Sequence, residues 1–68
     1  MNFPSETALR LSRQAMVEAL GKMKDARDIA GRAQEVATVQ AIDRASVSIA
    51  DVIANVDYQL MTLARRRA

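Results

Sequence analysis

The sequence predicts an all-α fold, an antiparallel two-helix hairpin that self-associates, most simply as a dimeric four-helix bundle. Three observations carry this. The 68 residues include one proline, Pro4, and two glycines, Gly21 and Gly31, so almost nothing interrupts helix between residues 5 and 66. Apolar residues recur at steps of three and four through both halves of the chain. And the phase of that repeat slips once, near the middle.

The first helix is expected over about residues 5–31. In "NFPSET", Ser5 or Asn2 is placed to cap the first free amides, and Glu6 sits where the helix dipole favours an anion. Glu6–Arg10, Glu18–Lys22 and Asp28–Arg32 are i,i+4 pairs with the acid first, the favoured order. An alanine-rich stripe carries Leu9, Met16, Ala19, Leu20, Met23, Ala26, Ala30 and Ala33, and its small side chains suit close helix–helix approach.

The second helix is expected over about residues 37–66. Val39, Ile42, Ser46, Ile49, Ile53, Val56, Leu60 and Leu63 form a sustained seam. The β-branched residues also suit a strand, but alternation would put Asp51, Asn55 and Asp57 on one face with Val47, Ile49 and Ile53. A neighbouring stripe of Val47, Ala54, Tyr58 and Met61 makes this helix apolar over more surface than one partner covers.

The seam repeats at 9, 16, 23 and 30, then at 42, 49, 56 and 63, and the interval between the two sets is not a whole number of heptads. A straight rod would rotate its stripe off its partner, so a break is expected near Gly31–Thr38, with Gly31 at the helix C′ position and Thr38 as the next cap. Charges agree with a fold about residue 35. Arg13 and Asp57 are equidistant from it, as are Arg27 and Asp43, and Glu6 with Arg65 comes within one residue. The same register sets Leu9 near Leu60, Met16 near Ile53 and Met23 near Val47. Two long rods crossing antiparallel about residue 35 would give the same pairs between chains; the phase slip selects the hairpin.

A single domain this short buries little of its own surface and usually needs a disulfide, a metal or a partner. With no Cys and no His, disulfides and the usual zinc ligands are excluded, leaving oligomerisation. The expected interface is Ile49, Val52, Ile53, Val56, Leu60 and Leu63 with Val47, Ala54 and Met61, since an isolated hairpin would expose the outer faces of Ile49, Val52, Ile53 and Val56.

Catalysis is not expected. Ser12, Ser46 and Ser48 have no His or Cys to work with, Asp43, Asp51 and Asp57 share no metal-binding face, and the isolated glycines form no phosphate loop, so no catalytic residue, metal or cofactor is assigned. Residues 45–64 are long enough to span a bilayer, but Asp51 and Asp57 at the centre would each cost about 2.5–3.5 kcal/mol, which argues against membrane insertion. No cleavable signal pattern is present, so a cytoplasmic origin is expected, and export without a signal is compatible with the sequence.

Arg65, Arg66 and Arg67 suit the negative end of a helix dipole, and with Arg10 and Arg13 they are candidate polyanion contacts. "AS" at 45–46 followed by "DVIANV" at 51–56 resembles the "AS…DVIANN" helix of flagellar rod and hook proteins, over about a dozen residues and with the spacing between the halves off by one. That resemblance implies a short helical subunit of a secretion or flagellar-type assembly. The reading of the residues themselves is a non-enzymatic scaffold or adaptor acting through helix–helix contacts with its own copies or another helical protein. A small basic-tailed bundle that binds nucleic acid is the alternative.

Overall fold

The seam spacing and the single break resolve into two helices, α1 (Glu6–Arg32) and α2 (Val36–Arg67), packed antiparallel. The computed structural model describes residues 6–67. The expected caps Ser5 and Asn2 lie outside them. The chain measures 51 × 17 × 15 Å. The 32 residues of α2 at 1.5 Å each account for its long axis, where one continuous rod of both helices would run to about 90 Å.

Residues covered by the opposite helix recur at steps of three and four: Leu9, Arg13, Met16, Leu20 and Met23, then Ala30, on α1, facing Val39, Ile42, Ser46, Ile49, Ile53, Val56, Leu60 and Leu63 on α2. Burial along this seam is shallow. Only Ala30, Ile53 and Val56 fall to 9% exposure or less among the described residues. Val47, expected against Met23, is 62% exposed, because a step of one residue around a helix is 100°; Ser46 is the half-buried residue at that level.

The turn departs from the sequence expectation. Gly31 is not the C′ residue: α1 continues through Arg32, no glycine has a positive φ, and Gln34 takes the left-handed position with φ 60°. Around it the Glu35 amide donates to the Ala30 carbonyl at 2.9 Å and the Gln34 amide to Gly31 at 3.0 Å, the paired bonds of a Schellman motif. Nor is Thr38 a cap. The Val39 amide donates to the Glu35 carbonyl at 3.0 Å, which makes Glu35 the N-cap of α2 and leaves Thr38 inside its first turn. A connection of three residues, 33–35, suffices because these bonds consume the carbonyls that end α1.

Candidate interaction surface

Two ion pairs pin the helices to one another along one edge of the seam. Arg13 donates from Nε to Asp57 Oδ1 at 2.5 Å and from Nη2 to Oδ2 at 3.5 Å; Arg27 donates likewise to Asp43 at 2.6 and 3.3 Å. These are the pairs that symmetry about residue 35 places together. They lie 14 residues apart on α2, about 21 Å, so sliding one helix by a single turn would break both. Each side chain is a little under half exposed. The hydrogen bond to Asp43, reinforced by that carboxylate's charge, raises the Arg27 pKa above its ordinary value.

The open end of the hairpin is tied differently from expectation. Glu6 accepts from Arg10 Nη2 at 2.7 Å and Nε at 3.0 Å, and pairs with Arg67 Nη1 at 2.7 Å, whereas the register about residue 35 nominates Arg65. The reason is helical phase. Arg67 follows Leu60 by one heptad and so returns to the seam above Glu6, while Arg65 points away and donates to Met61 Sδ at 3.4 Å. Hydrogen bonding from Arg10 is the main cause that holds the Glu6 carboxyl below its ordinary value. Among the other helical pairs, Glu18 accepts from Gln14 at 3.3 Å instead of pairing with Lys22, and Asp28 makes no ion pair with Arg32.

Five of the nine residues expected to face another subunit belong to the hairpin itself. Ile53 and Val56 are buried against α1, and Ile49, Leu60 and Leu63 are half-buried there. The seams that hold them meet in register, and Leu60 and Leu63 also line open grooves beside the seam. Val47, Val52, Ala54 and Met61 do remain exposed. Val17 and Val36 are exposed as well, as are Leu11, Ile29 and Tyr58, and Tyr58 also lines the groove beside Leu9 and Leu63. Val36 was legible in principle. It belongs to a second run at steps of four and three through Val47, Ala50, Ala54, Met61 and Ala64, which Gln40, Asp43 and Asp57 interrupt as a purely apolar pattern.

The candidate polyanion contacts are only partly available. Arg10 and Arg67 share Glu6, Arg13 holds Asp57, and Arg65 and Arg66 have no carboxylate partner among the described residues. Open grooves flank this end, one lined by Arg10, Arg13, Gln14, Val17, Glu18 and Leu60, the other by Leu9, Tyr58, Gln59, Thr62, Leu63 and Arg66. Their arginines are splayed over both sides of the hairpin. Ser46 is half-buried in the seam, and Ser12 and Ser48 lie on exposed faces. No cluster of three carboxylates that could hold a metal occurs among the described residues, and no helix there is long and apolar enough to cross a membrane. The chain matches no protein-family model, no curated protein and no solved structure.

Proposed function

We propose that this chain is a non-enzymatic oligomerisation module, a scaffold or adaptor that works through helix–helix contact, most simply as a dimer of hairpins forming a four-helix bundle. One observation carries the reading: the hairpin leaves too much of itself uncovered. Its accessible surface is 5107 Å², against about 4,250 Å² for a compact monomer of 7.5 kDa. The excess, about 850 Å², is close to what one partner contributes to a stable protein–protein interface, roughly 800 Å². Residues such as Val47, Val36 and Met61 are half or more exposed, and covering each is worth on the order of 1.5–3 kcal/mol.

Sedimentation equilibrium or light scattering on a size-exclusion peak, across a wide range of protein concentration, tests this. A closed dimer near twice 7.5 kDa is expected. A compact helical monomer at every concentration overturns the proposal, and mass that grows without limit replaces the closed bundle by an open polymer of the same contacts. The basic end supports a second reading, polyanion binding, on the observation that Arg65 and Arg66 lack carboxylate partners among the described residues. Its signature is binding to DNA or RNA that weakens steeply with salt.

A further inference from the structure

We infer that the second copy docks antiparallel along the α2 face that carries Val47, Ala50 and Ala54, with Ala50 at the two-fold axis. The inference rests on the self-association reading and adds to it a face, a direction and a centre.

The face is chosen by what it exposes and by how its charges are held. On this side of α2 residues recur at steps of four and three from Val36 to Ala64, the spacing that keeps a second stripe facing one neighbour. Val36, Val47 and Met61, three of the large apolar residues left exposed, lie on it. Its only acids are Asp43 and Asp57, and both are already neutralised from α1 by Arg27 and Arg13. The stripe runs about 42 Å, and with the 17 Å width of the hairpin it offers roughly 700 Å², near the share a standard interface needs from each partner.

The direction follows from volume and charge. About Ala50 the stripe is palindromic in position: Val36 stands as far from it as Ala64, Asp43 as far as Asp57, Val47 is matched within one residue by Ala54, and Gln40 likewise by Met61. An antiparallel copy therefore sets each valine against an alanine, the large-to-small alternation that fills an interface evenly. A parallel copy would set valine on valine and alanine on alanine, leaving alternating crowded and empty layers. Charge agrees. At the open end Arg10, Arg13 and Arg65 to Arg67 exceed Glu6 and Asp57 by three, whereas around the turn Asp25, Asp28, Glu35 and Asp43 are balanced by Lys24, Arg27, Arg32 and Arg44. Antiparallel docking puts each basic end beside a neutral turn; parallel docking would stack two basic ends.

The ion pairs then acquire a second purpose. Arg13 and Arg27 spend Nε and Nη2 on their own aspartates, which leaves Nη1 of each without a partner among the described residues. Antiparallel docking brings Asp43 level with Asp57 of the second copy, and the free Nη1 groups are the donors that bridge those carboxylates into a neutral ring of four charges.

Because the chain has no cysteine, single-cysteine variants test this cleanly. Ala50→Cys is expected to oxidise to a linked dimer, on the order of tenfold faster than Ala45→Cys on the opposite side, since thiols held together act at millimolar effective concentration. A mixture of Val36→Cys and Ala64→Cys chains is expected to give the mixed dimer in preference to either like pair. Circular dichroism of the reduced variants checks that each remains helical. Self-linking of Ala64→Cys would overturn the antiparallel direction. A dimer that links through Ala45→Cys and not Ala50→Cys would overturn the face and leave self-association standing. A monomer by sedimentation would remove both.

Discussion

The turn offers a test in which the sequence and the structure predict opposite signs. If Gly31 were the left-handed residue that ends α1, Gly31→Ala would force a β-carbon into a conformation that disfavours it by about 1–2 kcal/mol. In the structure Gly31 is an ordinary helical residue with no positive φ, and a β-carbon built there meets nothing within 4 Å. Alanine is then favoured over glycine by up to about 0.8–1.0 kcal/mol in a helix interior, somewhat less this close to the end. The strained residue is Gln34, at φ 60°. Gln34→Gly relieves that strain and gives back about 0.5–1 kcal/mol as backbone entropy, for a net gain on the order of 0.5–1 kcal/mol. At about 4–8 °C per kcal/mol for a domain this small, each variant should raise Tm by roughly 2–8 °C.

The assay is thermal melting followed by circular dichroism at 222 nm, with all variants at one concentration, because the proposed association would make Tm concentration-dependent. The two gains should combine without full additivity, since the Gln34 amide donates to the Gly31 carbonyl. A fall in Tm for Gly31→Ala, with no gain for Gln34→Gly, would show that the chain turns at Gly31 and that the Schellman motif described around Gln34 is wrong.

Three further outcomes are expected. Ile53→Ala should abolish the cooperative melt, because deleting a buried isoleucine costs about 2–5 kcal/mol and a fold this small has only about 3–5 to lose, while Ile53→Val at about 0.5–1.5 should survive; equal tolerance of both would place Ile53 outside the core. Arg13→Glu and Asp57→Lys should each destabilise and together recover, with a coupling of about 0.2–1 kcal/mol as befits a half-exposed pair, and zero coupling would reject the register. Glu6 has a folded pKa below its ordinary value, so its contribution is fully present above that ordinary value and is lost as pH falls through the folded one. The Tm difference between the wild type and Glu6→Gln should therefore be greatest near neutral pH and close in acid; a constant difference would mean that the Arg10 and Arg67 contacts do not form in solution.

What the sequence shows of this fold is its periodicity. Leu9 to Ala30 and Val39 to Leu63 are seams because apolar residues at steps of three and four cannot all be covered unless a second helix lies along them. Their phase slip announces the break, and the charges equidistant from residue 35 give the register that brings Arg13 to Asp57. The details set by local geometry were not legible. Nothing marks Gln34 for a left-handed position that glycine would fill more easily; the carbonyls of Ala30 and Gly31, held by the Schellman bonds, decide it. Ile49, Ile53 and Val56 are seam residues, as their spacing predicts, and the surface left exposed lies one step around the helix at Val47 and Ala54, on the neighbouring stripe, with Ala50 beside it.

The proposed self-association would tie folding to assembly. A pair of helices with three residues at 9% exposure or less has little reserve of its own, so the stripe on α2 is better regarded as unfinished core than as decoration. A partner present at about 100 times its dissociation constant adds about 2.7 kcal/mol, as much as much of the stability a chain of this size commands alone. If the proposed dimer forms, dilution should lower Tm as well as dissociate it, and Val47→Asp, which leaves the hairpin seam intact, should mimic dilution. If Val47→Asp melts at the wild-type temperature at every concentration, then the α2 stripe is not where the fold is completed, and the stabilising contact lies on another side of the hairpin.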